Sequence, residues 1–168
     1  LAGELLIDNE WILTSDPAYD DTGGWQRNLN PVPNAFDSDY RFILPVLPGG
    51  AAPFATATWT FEGLPSGSYE IFVTFPHADS RATNAPYDVR VRSGKGQNTP
   101  WVLKTTTPVL VNQSVAPLAK DFGGKKWESL GIYSLTQLSS VELGAIQVQL
   151  SNLANGIVAA DAIRIVRV

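Results

Sequence analysis

Between Phe54 and Phe61 the chain alternates strictly: Ala55, Ala57, Trp59 and Phe61 fall on one face, Thr56, Thr58 and Thr60 on the other. A period of two over this length predicts a strand with one buried face. Gly63 to Gly67 follows, with Pro65 and two glycines placed to reverse the chain. Ser68 to Phe75 is apolar at most positions and rich in aromatic and β-branched types, which predicts a strand covered on both faces. The two strands are expected to pair as a hairpin at the centre of a sheet. After the polar loop from Pro76 to Pro86, alternation returns from Tyr87 to Arg92. There Tyr87, Val89 and Val91 point inward, and Asp88, Arg90 and Arg92 outward.

The same pattern predicts strands at Leu5–Asp8, Tyr40–Leu44, Trp101–Lys104 and Val109–Gln113. It predicts another at Trp127–Leu135, bent at Gly131, one at Ala145–Leu150, and a last one running unbroken from Ile157 to Val168. Residues 9 to 37 carry Asp16-Pro17, Gly23-Gly24, Asn30-Pro31 and Pro33-Asn34, so regular structure there is sparse. Only Trp11–Leu13 and Trp25–Arg27 are expected to pair briefly. A stretch of this kind inside a compact domain has a function or wraps the core. Eight or more strands separated by turn signals, with no 3.6 period, predict an all-β chain: a single β-sandwich of jelly-roll type with long N-terminal loops.

Composition narrows the picture. Residues 1–168 are long enough for one domain with its own core, and 14 Gly, 12 Pro and 17% charged residues fit a turn-rich β-domain. The lack of cysteine removes disulfides and thiolate chemistry. No apolar run reaches the length of a membrane span, so no membrane insertion is expected. A net charge of −4 argues against a nucleic-acid partner. A chain opening at Leu1 reads as a module excised from a larger protein, whose other domains are its expected neighbours. Acidity concentrates early: eight acids up to Tyr40 face the single base Arg27.

Asp161 is the anomalous residue of the last strand, sharing parity with Ile157, Ile163 and Ile165. A carboxylate on an apolar face must be paired or hydrogen-bonded. It is therefore read as a structural clamp on the loop between Pro76 and Pro86, with Arg81 or backbone amides of that loop as partners. Those partners would hold its pKa below the ordinary carboxylate value. His77, Asp79 and Ser80 include the residue types of a hydrolase triad, but a working triad is assembled from separate elements, and no nucleophile elbow occurs. His77 is read as a loop or rim residue.

Asp20-Asp21 and the Asp37/Asp39 pair suit a glycosidase by residue type, yet acids in Pro/Gly-rich loops more often form turns. No cofactor is expected. Asp8, Asp16, Asp37 and Asp39 are candidate hard-oxygen ligands for calcium, although their spacing matches no EF-hand. Of the five tryptophans, Trp59 is assigned to the core and Trp25 is the strongest candidate for exposure, although a Trp buried at the end of the sandwich is the commoner outcome. The ligand-contacting candidates are Trp25, His77, Asp79, Arg81 and Asn84.

Several stretches in one order resemble the golvesin C-terminal-like, or xanthan-lyase-associated carbohydrate-binding-like, family. They are Ile7-Asp8-Asn9, Ala57-Thr-Trp-Thr60, Gly63-Leu-Pro-Ser-Gly67-Ser-Tyr69-Glu70 and Arg81-Ala-Thr-Asn-Ala-Pro-Tyr87. Val111-Asn-Gln113, Trp127 with Leu130-Gly131, and Val158-Ala-Ala-Asp-Ala-Ile-Arg164 continue the series. The chain departs from the pattern at Glu10–Thr14 and Lys120–Lys126. The resemblance implies a non-catalytic accessory module of large bacterial extracellular or cell-envelope proteins. Carbohydrate, such as an envelope polysaccharide, is the expected ligand, and secretion or surface display the expected location. The rivals are a polysaccharide hydrolase or lyase using the acidic loops, and an architectural spacer or adhesion domain without a small ligand.

Overall fold

The computed structural model describes residues 4–8, 19–47, 54–94, 99–136 and 143–168. The expected pairing at Trp11–Leu13, the turn at Pro48–Gly50 and the calcium candidate Asp16 lie outside these residues. The fold is all-β, a β-sandwich of jelly-roll type, and among the described residues every pairing between strands is antiparallel.

The first sheet orders Glu4–Ile7 (β1), Ile163–Arg167 (β14), Gly67–Val73 (β6), Lys125–Leu135 (β11) and Lys120–Phe122 (β10). The second orders Tyr19–Thr22 (β2), Thr56–Leu64 (β5), Gly144–Ser151 (β12), Ala85–Arg92 (β7) and Val102–Leu103 (β8), with Val109–Val111 (β9) also on β7. A small third sheet joins Val158–Ala160 (β13), Arg41–Ile43 (β4) and Gln26–Arg27 (β3).

The expected central hairpin does not form: β5 belongs to the second sheet and β6 to the first. Pro65 supplies the reason. A two-residue hairpin loop needs a positive φ at its first central position, and proline locks φ near −65°. Pro65-Ser66 therefore arches the chain from one sheet to the other. Trp59 and Phe61 end up facing the side of the core that Tyr69, Ile71 and Val73 line from the opposite sheet. The outward expectation for Thr56, Thr58 and Thr60 is met, since these three are half-buried while Ala55, Ala57, Trp59 and Phe61 are buried.

The last strand is also divided. β13 pairs with β4, β14 pairs with β1 and β6, and Asp161-Ala162 forms the break between sheets. β11 runs as expected, with its register shifted between Ser129 and Gly131, where Gly131 takes a φ of 110°.

Trp59 is fully buried beside Tyr19 (ring centroids 5.3 Å apart), and its indole N–H donates to the Asp161 carbonyl at 3.2 Å. Two buried amides tie loops to this core. Gln113 brackets β13, donating to the Ala159 carbonyl and accepting from the Ala159 N–H, both at 2.8 Å. Asn152 accepts from the Ala55 N–H at 2.8 Å and donates to the Leu44 carbonyl at 3.0 Å. A second cluster lies on the outer face of the first sheet, where Phe72, Trp127 and Ala162 pack with Phe36, Phe122 and Val166.

Candidate functional site

The loop joining β3 to β4 shapes a groove of about 440 Å³ between Arg27–Pro31 on one wall and Asp37–Asp39 on the other. Asn28 sets its shape, because its side chain accepts from the Tyr40 N–H at 2.7 Å and donates to the Asn30 carbonyl at 2.6 Å. Arg27 spans the groove, donating through Nε and Nη2 to one oxygen of Asp39 at 2.8 and 2.5 Å. Leu29 is 96% exposed at the rim. Asp37 and Ser38 both hold positive φ, 45° and 70°. Two consecutive non-glycine residues in that region are strained by about 1–3 kcal/mol each, and they persist only where surrounding contacts enforce them.

Those contacts come from behind the loop. The Phe36 N–H donates to Asp161 Oδ2 at 2.9 Å, and the Phe36 ring packs on Trp127 with centroids 5.9 Å apart. Lys125 Nζ donates to the Ala35 carbonyl at 2.5 Å, and Asn34 donates to the His77 carbonyl at 3.3 Å.

Asp161 is 0% exposed, and its Oδ1 makes no hydrogen bond. Its bonded partner is the Phe36 amide; Arg81 instead donates to the Tyr40 hydroxyl at 2.6 Å and lies over that ring at 4.9 Å. The expected clamp between Asp161 and Arg81 is therefore not the one formed. The expected direction of the shift is reversed as well. Burial pushes the Asp161 carboxyl well above its ordinary value; the Phe36 amide opposes this, Asp8 adds to it, Lys125 opposes it and Asp39 adds to it. Burial likewise lowers the Lys125 ammonium, against the pull of Asp161, Asp37 and Asp8.

The ligand candidates scatter. Trp25 is 7% exposed and belongs to the core, the commoner of the two outcomes, so its choice as an exposed, ligand-contacting ring is corrected. A Cβ on Gly23, at φ 92°, would sit 2.5 Å from Ala55, and this close approach draws the chain against β5 just before Trp25. His77 and Arg81 meet the groove loop through Asn34 and Tyr40. Asp79 is exposed on the same loop. Asn84 faces away, accepting from the Asn155 N–H at 2.8 Å. Asp39 is engaged by Arg27, and Asp8 stands behind the loop with Asp161. Among the described residues, no three His, Asp or Glu side chains group closely enough to hold a metal ion.

Asn28, Asn30 and Ser38 escaped notice in the sequence. The signal that marks their loop is the pair Asn30-Pro31 and Pro33-Asn34, which announces turns but not a cleft. Among the described residues, no helix is long and apolar enough to cross a membrane.

The chain matches the model of the Golvesin C-terminal domain over residues 11–167. Among solved structures it is similar to a stretch of a Paenibacillus xanthan lyase, with 26% identity and a TM-score of 0.61; the match covers 99% of this chain and 13% of that one. It is also similar to part of the Arthrobacter globiformis T6 isomalto-dextranase, solved with panose, at 15% identity and a TM-score of 0.52, covering 98% of this chain and 23% of that one. Both of those chains are thus several times the length spanned here. The C-terminal CBM6 of the Zobellia galactanivorans laminarinase LamC aligns at 13% identity and a TM-score of 0.47, covering 98% and 99% of the two chains. No curated protein matches the chain. With the family model running through nearly every element described above, the chain belongs to the Golvesin C-terminal domain family.

Proposed function

We propose that this protein is a non-catalytic, extracellular carbohydrate-binding module of a larger chain, and that the groove between Arg27–Pro31 and Asp37–Asp39 holds the glycan. The observation that carries this reading is the groove itself, a cleft of hydrogen-bonding side chains ordered in advance by Asn28, Asp161 and Lys125. Amide, carboxylate and guanidinium groups fixed around a shallow cleft suit the hydroxyls of a sugar, and prior ordering lowers the entropy cost of binding. The match to a stretch of a xanthan lyase supports a setting beside polysaccharide chemistry.

A glycan array tests the reading, with calorimetry on each hit. Binding of at least one oligosaccharide is expected, weakened tenfold or more by Arg27→Ala and Asn30→Ala, about 1.4 kcal/mol each. Binding unaffected by both variants would move the site elsewhere, and release of new reducing or unsaturated ends from a bound polymer would overturn the non-catalytic part.

A further inference from the structure

The second sheet carries an outward face that the groove does not use. On its central strands the side chains pointing away from the core bond to one another in rungs. Gln149 donates to the Thr58 hydroxyl on its own rung at 3.3 Å and accepts at 3.1 Å from Arg90 Nη2, which reaches diagonally from the rung of Gln147, so three neighbouring strands are linked. On the next rung Gln147 donates to the Thr60 hydroxyl at 3.2 Å. Beyond it Arg92 forms an ion pair with Glu62 and lies over the Trp101 ring at 4.7 Å. At the opposite end the Thr22 and Thr56 hydroxyls meet at 3.1 Å.

We propose that this face is a second binding surface, one that takes an extended strand of neutral polysaccharide; the inference rests on the carbohydrate-binding reading above. Three features select that occupant. The charges on the face lean acidic: Arg90 and Arg92 stand against Asp88, Glu62 and the exposed Asp20 in register with Thr58, with Asp88 also accepting from the Thr105 hydroxyl at 2.7 Å. An anionic polymer therefore gains nothing from them. The central rungs are threonine and glutamine; the apolar side chains Trp101, under Arg92, and exposed Leu103, in register with Arg90, lie at the β8 edge, so the centre of the face lacks the anchors that concentrate binding energy in protein–protein contacts.

The rungs also keep capacity to spare. A threonine oxygen that accepts one bond still has a proton to give and a second lone pair, and a glutamine amide has a second N–H. Outward residues recur about every 6.6 Å along a strand, and strands lie about 4.8 Å apart. That makes a lattice of half-ordered donors and acceptors on a scale that suits a hydroxyl-rich polymer lying flat. The face is long in the strand direction, from Thr56 to Glu62 on β5, which favours a polymer over a short oligosaccharide.

Affinity electrophoresis through gels containing dextran, xylan or laminarin, with xanthan and polygalacturonate as anionic counterparts, tests this. At least one neutral polymer is expected to retard the protein. The near-isosteric double variant Thr58→Val/Gln149→Met should weaken that retardation tenfold or more, leaving oligosaccharide binding at the groove unchanged. Gln147→Ala, on the neighbouring rung, should act in the same direction and serves if the double variant unfolds. Retardation by the anionic polymers alone, or variants that migrate as the parent does, would overturn the second surface while leaving the module reading intact. Failure of every polymer to retard the protein would also overturn it. If the glycan array is blank as well, both readings fall together.

Discussion

The two sheets of this sandwich share a core but turn opposite chemistry outward. Beyond the first sheet lies more core: Phe72, Phe122 and Trp127 pack together, with the Arg164 guanidinium over Phe122 at 4.4 Å and over Trp127 at 5.0 Å. Phe36 closes this cluster, and the groove loop is fastened there. Beyond the second sheet lies a lattice of threonine, glutamine and paired charges. The first sheet spends its outer face on holding the groove loop in a strained shape. The second needs no cover, because the outward side chains of its central strands are polar. A layered β-fold can thus use one face as scaffold and leave the other as surface.

Removing the ring at the shared core is expected to have the largest effect. Trp59→Ala should cost about 3–5 kcal/mol, read as a drop in the denaturant midpoint. A midpoint equal to the parent's would show that the second sheet does not depend on its inner face.

Asp161 probes the scaffold side. Its folded-state pKa is raised, so the protonated carboxyl favours the fold. That contribution is present in full below the unfolded pKa and is lost as pH rises through the folded one. Asp161→Asn removes the titration, and the parent should gain stability relative to the variant as pH falls from 7 toward 4. Urea midpoints of the pair across that window measure it, and parallel curves would mean that Asp161 does not titrate with folding. Asp161→Ala also strips the acceptor from the Phe36 N–H, which should cost about 1–3 kcal/mol. That variant should loosen the groove and weaken oligosaccharide binding, while the polymer affinity of the second sheet is retained.

The smallest expected effect belongs to Arg164→Met, which keeps the stem but loses the charge over two rings. A loss of about 0.5–2 kcal/mol is expected, with no change in binding at either face. A larger loss would mean that the guanidinium carries the outer cluster.

Much of this was legible in the alternation. The inward rows of β5, β7 and β12, the bend at Gly131 and the burial of Asp161 all follow from a period of two and from the cost of an apolar face in water. The arch at Pro65 was misread as a hairpin turn, although proline forbids the φ that a two-residue hairpin there requires. What alternation does not carry is which sheet a strand joins, because each strand reports its own buried face and not its neighbour. Asp161's partner, the burial of Trp25 and the groove between Arg27 and Asp39 depend on residues brought together across long separations, as when Phe36 meets Asp161. The chain by itself determined an all-β sandwich with a buried acid. Only the tertiary structure decided which loop that acid holds, because a hydrogen bond needs a particular donor within about 3 Å, and burial alone names none.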